Sequence, residues 1–471
     1  MTANELPSFE DALAGDAPDD VLWRAAARSD RLFVRGLDQI AEDGEEARGR
    51  KMTAIEALDA YGRQKLREVL AEGAALLCES PSSAGRVLFG RRDLLGLQIR
   101  HVASRAGVEP RVVEQAEQSK RLPIREYERI AQALGLDERY ISFRSEPVGN
   151  ERLAYRLRTV GDDLPRMTPS AVSAIAEAVW VATTQTRLES GLGMVVPQWE
   201  IQTSSNYGAP GYPAYMQGYY LAHDARKKLA LGDGPLTRPL REICEDVLGI
   251  PLIQADMGEA IAGVTVQVGD RRAVVLNLSG RNRHVYVRRC TVAHEIGHIL
   301  YDDDAYLNQL RVDEYDELES PPERLNDPVE QRANAFSVEF IAPKRAMVES
   351  FHRETDDPVG AAMDAYGISF TAARYQIWNG LDRSVSWDSL ATRRREPDQR
   401  FEAGERFTVD FHPVRGIPAS RAGRFSAVVL RAAEEGRVSW QTAAEYLRCS
   451  AEDLKAAADD TRALFPAVFR T

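Results

Sequence analysis

The 471-residue chain has little cysteine, little histidine and no long apolar run. Its four cysteines, Cys78, Cys244, Cys290 and Cys449, are far apart and form no CxxC pair. A cysteine-only zinc site and a disulfide scaffold are therefore not expected. Four reduced thiols in a cytoplasmic protein are expected instead. No window offers about 18 successive apolar residues, so no transmembrane helix and no membrane partner are expected. Residues 1–23 hold six acids and no Lys or Arg, which lacks the basic start of a secretory signal. A basic excess is missing as well. Sixty Lys and Arg stand against 72 Asp and Glu, a net charge of −12. That argues against a protein coating nucleic acid along its whole surface, but leaves room for one basic module.

What is present looks globular, and this length suggests about three domains. The pattern predicts a mainly α protein with an α+β core, an N-terminal helix-turn-helix module and a C-terminal helical tail. Residues 1–85 read as a helical arm, with an acidic mobile arm or solvated first helix at 1–23 and a helix over 50–78. Residues 86–145 read as a module of short helices, and 146–217 as a helical connector and linker, clearest over 203–218. The core is placed at 218–390 and the C-terminal helical domain at 391–471, after a charged linker at 391–417. Within the core, alternating runs at 261–268 and 273–278 flank Gly269-Asp270-Arg271-Arg272, a hairpin signal. Helices are expected over 219–231, 236–248, 287–301, 328–342 and 358–366.

His294-Glu295-Ile296-Gly297-His298 is an H-E-x-x-H match. On a helix, residues four apart lie about 40° apart on one face. His294 and His298 can then meet one zinc ion at about 2 Å. Glu295, beside them, can take a proton from a water polarised by the metal and pass it to a leaving amine. A catalytic zinc needs a third protein ligand and one open position. Three residues are candidates. Asp304 sits six residues past His298, but the glycine such spacing needs is replaced by Tyr301. His352 has no fixed spacing. Glu330 opens a second helix, separated from the first by acid-rich loops at 302–327. Tyr301 and His284 are candidates to stabilise an oxyanion.

Several stretches of 219–343 together resemble the ImmA/IrrE-type zinc metallopeptidases. The first pieces are Ala222, Arg226, Leu229-Ala230-Leu231-Gly232 and Gly234-Pro235-Leu236. Asp246-Val247-Leu248-Gly249-Ile250-Pro251, Ile261-Ala262-Gly263 and Asn277 follow. Then come Arg289 through His298, and Glu330-Gln331-Arg332-Ala333-Asn334-Ala335-Phe336 running on to Ile341-Ala342-Pro343. The resemblance implies zinc held by His294, His298 and Glu330, with Glu295 as general base. It also implies a zincin-like metallopeptidase fold for the α+β core, and a regulatory protein of repressor type as substrate. Cys290, and Glu339 with Phe340-Ile341, depart from the family pattern. The edge strand of the hairpin would bind an extended peptide by strand addition.

Residues 86–145 carry 12 Lys and Arg against 8 acids, so they are locally positive within an acidic chain. Leu97 to Val108 and Glu109 to Gln118 have a helix-turn-helix layout, with Ala103 small at the helix crossing and Gly107 ending the first helix. The stretch resembles the Xre/phage-repressor class. Arg111, Gln115 and Gln118 would read bases, while Arg100, Lys120 and Arg121 would contact phosphates. Glu109, Glu114 and the shifted Gln98 depart from that pattern. Residues 438–454 repeat the layout weakly in acidic surroundings and suggest a cap or a dimer contact.

The expected function is a DNA-binding regulator, acting at an operator, that carries a zinc endopeptidase. One alternative is an antitoxin whose peptidase fold holds a toxin. Another is a protease whose helix-turn-helix recognises a protein substrate.

Overall fold

The computed structural model describes residues 6–15, 17–78, 82–141, 167–195, 197, 213–302, 307, 310–315, 327–353, 356–392 and 396–470. The chain divides into two compact units. The first comprises the described parts of Met1–Asp162, Val172–Val195 and His412–Thr471, and the second those of Asp163–Ala171 and Val196–Phe411. No helix among the described residues is long and apolar enough to cross a membrane. All four cysteines are free thiols.

The first unit opens with α1 (Phe9–Ala14) and α2 (Asp19–Arg28). Ser8 starts α1, its hydroxyl accepting from Asp11 N at 3.1 Å. Phe9, Leu13 and Leu22 are buried against Phe33, Ile40, Leu66 and Val69, so the acidic N-terminal stretch contributes to a core. Four strands follow: β1 (Leu32–Arg35), β2 (Gln39–Glu42), β3 (Arg50–Thr53) and β4 (Ala74–Leu76). They form an antiparallel sheet in the order β3-β1-β2-β4.

The single helix expected over 50–78 is thus divided into β3, α3 (Ala54–Glu72) and β4. The Thr53 hydroxyl caps α3 by accepting from Glu56 N, and Gly73 ends it at φ 81°. Gly supplies this left-handed conformation without steric cost. Strands of three or four residues are too short to show an alternation.

Next come α4 (Ser82–Leu94), α5 (Ile99–Ala106), α6 (Pro110–Glu117), α7 (Ile124–Ala133) and α8 (Pro169–Gly191). Gly107 closes α5 at φ 68°, and Pro110 opens α6. Val102, Ala103, Val113 and Ala116 are buried between them, and Val108 is half-buried. Gln98 is the N-cap of α5 rather than a residue inside it. Helices over Arg424–Glu434, Trp440–Leu447, Ala451–Ala456 and Ala458–Leu464 complete the unit.

Buried charge links these segments. Arg50 pairs with Glu56 at 2.6 Å and Glu128 at 2.9 Å, and the Thr442 hydroxyl donates to Glu56 at 2.7 Å. Glu177, almost fully buried, receives Arg421 at 2.8 Å, Arg448 at 3.0 Å and Arg105 at 3.5 Å. Burial opposes its charge, but Arg421, Arg448 and Arg105 outweigh that and hold the carboxyl below its ordinary range. Removing one partner of a buried pair leaves the others uncompensated. Glu177→Ala is therefore expected to destabilise this unit by about 3–5 kcal/mol. Urea unfolding checks this, and an unchanged midpoint would contradict it.

The second unit begins its described core with α9 (Ala214–Lys228) and a helical turn over 240–247. Strands β5 (Leu252–Ala255), β6 (Ile261–Val268) and β7 (Arg271–Asn277) follow. Gly269, at φ 63°, and Asp270 make the two-residue hairpin turn. After α10 (Val285–Tyr301) the chain adds β8 (Leu310–Glu314), then α11 (Pro328–Ile341). The helices α12 (Lys344–Arg353), α13 (Pro358–Tyr366), α14 (Phe370–Gly380) and α15 (Gln399–Glu405) complete it.

The sheet order is β5-β7-β6-β8, with β5 and β7 parallel and the other pairs antiparallel. The outer hairpin strand β6 is thus not an edge, because β8 pairs along it. This corrects the expectation that the hairpin edge would take an added peptide strand. Helices α9 and α11 cross closely at Gly218, where a Cβ would stand 2.3 Å from the Arg332 carbonyl. The stretch 391–417, expected as a linker, contains α15 and buries Phe407. Its Glu405 carboxylate accepts from Leu240 N at 3.1 Å and Arg241 N at 2.9 Å.

Candidate metal centre

α10 lies over the sheet with almost every side chain from Thr291 to His298 enclosed. His294, Glu295 and His298 are all fully buried. Their spacing puts both histidine rings on one face, with Nε2 atoms 2.8 Å apart. α11 starts at Asp327, whose side chain caps it by accepting from Val329 N at 2.8 Å. That cap sets Glu330 in the first turn. Its Oε2 stands 3.3 Å from His294 Nε2, and its Oε1 stands 3.4 Å from His298 Nε2.

Two residues join these that the sequence pattern did not single out. Asp313 on β8 brings Oδ2 to 3.9 Å from His294 Nε2. Ligand atoms of His294, His298, Asp313 and Glu330 all lie within 4.8 Å of one another. Arg311, two residues earlier, pairs with Glu330 and donates to Asp313 Oδ1 at 3.2 Å. The five residues of β8, Leu310 and Val312 among Arg311, Asp313 and Glu314, are too few in an acid-rich stretch to have marked either residue.

Sheet register explains the meeting. Asp313 pairs across from Gly263, and Arg311 from Thr265. Residues two apart on a strand share a face, so all four face α10. There Thr265 Oγ1 donates to Glu295 Oε2 at 2.6 Å. A Cβ at position 263 would stand 2.3 Å from Glu295 Oε1, so this glycine leaves the room that the carboxyl occupies.

An outer layer holds the histidine. His298 Nδ1 lies 2.5 Å from Asp302 Oδ2, and Asp302 is paired in turn with Arg332 on α11. A carboxylate at Nδ1 selects the tautomer that presents Nε2 to a metal. Arg332 comes from the same helix as Glu330, so one element supplies a candidate ligand and the support of another.

The electrostatics suit a cation. Burial works against a charged His298, but Glu330 and Asp302 outweigh it and raise the imidazole well above its ordinary value. Burial likewise opposes the Glu330 charge, yet His298 and His294 hold its carboxyl far below the carboxylate range. For Asp313, burial and the neighbouring Glu295 and Glu330 carboxylates push the group up to about 8. Burial also raises Glu295. His294 Nδ1 and Asp313 Oδ2 are buried with no hydrogen-bond partner. Buried carboxylates and imidazoles crowded in this way are the donor set that a divalent ion stabilises. The residues present therefore fit a metal.

The other candidates lie elsewhere. His352 is exposed on α12, and Asp304 falls outside the described residues. Tyr301 donates its hydroxyl to the Leu221 carbonyl at 3.2 Å and packs on Phe336. His284 is the N-cap residue of α10, its ring against Tyr286. Glu339 is turned to the Lys344 backbone and Gln376.

In the first unit, Arg100, Arg111, Gln118, Lys120 and Arg121 are exposed and Gln115 is half-buried. Lys120 and Arg121 line a polar cleft, together with Arg48 and Arg125. Glu109 and Glu114 are exposed on the same helical region, while Glu117 is taken up by Arg92 at 2.5 Å.

No curated protein sequence matches the chain. Residues 245–377, which contain His294, Glu295, His298, Asp313 and Glu330, match the model of the IrrE N-terminal-like domain, a peptidase family, and are consistent with a metallopeptidase.

Proposed function

We propose that the second unit is a zinc endopeptidase and that the chain is a DNA-binding regulator acting on a regulatory protein of repressor type. The observation that carries the peptidase reading is the convergence of His294, His298 and Glu330, with Glu295 enclosed beside them. His294, His298 and Glu330 would hold the zinc. When bound, zinc supplies a Lewis acid for a carbonyl oxygen and brings the pKa of a water toward about 7.

The chain's own groups do the rest. Glu295 accepts the proton of the attacking water and delivers it to the leaving amine. Thr265 holds one of its oxygens and Gly263 leaves room for the other. Asp302 keeps the His298 ring in register. Arg311 holds the Glu330 and Asp313 carboxylates in place.

DNA binding is supported by the exposed cations Arg100 on α5, Arg111 on α6, and Lys120 and Arg121 just after α6. Gln115 and Gln118 lie on and just after α6 as candidate base readers.

Capture from the native host tests the whole reading. Full-length Glu295→Gln should retain an intact protein that the unaltered chain cuts. Promoter DNA should be held by the same protein in a way that salt weakens. A small partner left uncut by both forms would instead favour the antitoxin reading. Salt-independent loss of DNA retention would favour a protease that uses α5–α6 on protein.

A further inference from the structure

In the first unit, the turn after β1, the loop before β3 and the connection from α6 into α7 border a cleft of about 840 Å³. That is within the range of pockets that hold small ligands. Four exposed cations line it. Arg48 comes from the loop before β3, Lys120 and Arg121 from the α6–α7 connection, and Arg125 from the first turn of α7. None of the four is ion-paired among the described residues. Arg48 donates only to the Glu45 carbonyl, at 2.9 Å.

The carboxylates of the cleft do not cancel these charges. Glu445 is already paired with Arg129 at 3.0 Å. Asp38 and Glu46 remain, against four cations, so the open groups keep a positive surplus in a chain whose net charge is −12. Arg50 adds a donor rather than charge. It is almost fully buried in the wall, with Nη1 on Glu56 and Nε on Glu128, while its Nη2 is enclosed without a hydrogen-bond partner. Like charges gathered in one concavity repel each other and focus a field that an anion relieves.

The walls are fixed in advance. The Tyr127 hydroxyl donates to the Lys120 carbonyl at 2.7 Å, and Lys120 N donates to the Gln115 carbonyl at 2.9 Å. Gln441, opposite in sequence at the C-terminal end, accepts from Lys51 N at 2.9 Å through its side chain. A ligand therefore pays little to order the site. Arginine forks match phosphate oxygens in pairs, and lysine adds a point charge. One phosphate would fill a small part of this volume, whereas a chain of phosphates can reach cations from separate loops.

We propose that this cleft is an effector site for a small polyphosphate anion of nucleoside triphosphate size, and that its occupant competes with DNA for Lys120 and Arg121. The competition rests on the DNA-binding reading, whereas the anion site does not.

The test titrates the full-length protein with ATP, inorganic triphosphate and inorganic phosphate by calorimetry, at constant ionic strength and without added divalent ions. ATP and triphosphate should bind about 10–100-fold more tightly than phosphate. Arg48→Ala combined with Arg125→Ala should weaken triphosphate by about 10–100-fold, the range for losing charge-assisted hydrogen bonds. Arg48→Ala alone stands in if the double variant does not fold. DNA retention by the double variant should match the parent, since neither residue is assigned to DNA. Saturating triphosphate should release DNA from the parent, and the same concentration should leave it on the double variant. Equal affinity for phosphate and triphosphate overturns the proposal. So does triphosphate binding that the double variant keeps, which would place the anion elsewhere, as at the metal centre. Triphosphate that binds in the cleft without releasing DNA overturns the competition. If the parent holds no DNA at all while the cleft variants weaken triphosphate, the DNA-binding reading fails and the anion site stands.

Discussion

Glu295→Gln is expected to lower kcat for peptide hydrolysis by about 10²–10⁴-fold, the usual contribution of a positioned general base. Zinc content should be unchanged, because Glu295 is not among the four residues whose donor atoms converge. The amide can still accept from Thr265 Oγ1, 2.6 Å away in the native protein, so the helix has no reason to shift. What is lost is the capacity to take and return a proton. Measuring kcat and bound zinc on one preparation checks this. A kcat within threefold of the parent would remove Glu295 from the chemistry.

Glu330→Ala should act on the metal first and on turnover as a consequence. Zinc sites of four ligands bind with about 10–16 kcal/mol, or about 3–4 kcal/mol per ligand. Loss of one ligand then weakens zinc by about 10²–10³-fold. Asp302→Asn touches the outer layer only and should weaken zinc by about 10–100-fold. Competition with a chelator of known affinity ranks the two. The order matters. If Asp302→Asn proves as harmful as Glu330→Ala, then Asp302 rather than Glu330 governs the site. If neither changes zinc affinity, the metal is held by other groups.

The site was legible in sequence to the extent that it is local. His294, Glu295 and His298 lie within one and a half turns, and the helix period fixes which of them share a face. Glu330 was one of three candidates by residue chemistry, singled out only by its likeness to a known family. Asp313 and Arg311 could not be seen, because their place depends on β8 pairing with β6 across a long connection. A five-residue strand in an acidic stretch leaves no periodic trace. The same reason hid the sheet of the first unit, whose strands are three or four residues long. The hairpin of β6 and β7 was legible because it is long, alternating and closed by a two-residue turn. Glu405 shows the opposite failure. A charged, proline-containing stretch looked like linker, yet its carboxylate satisfies the start of a helix more than 160 residues earlier.

Glu177 meets Arg421 across 244 residues of chain, with nearly all of the second unit lying between them. At about 5–20 residues per second of synthesis, the glutamate leaves the ribosome roughly 10–50 s before its strongest partner. During that interval its carboxylate keeps its water, so α8 has no stable buried place for it. The second unit, by contrast, is spelled out in one run from Val196 to Phe411, apart from the short earlier segment Asp163–Ala171. Vectorial synthesis therefore favours a second unit that matures first, while the first unit waits for its C-terminal helices before it can close.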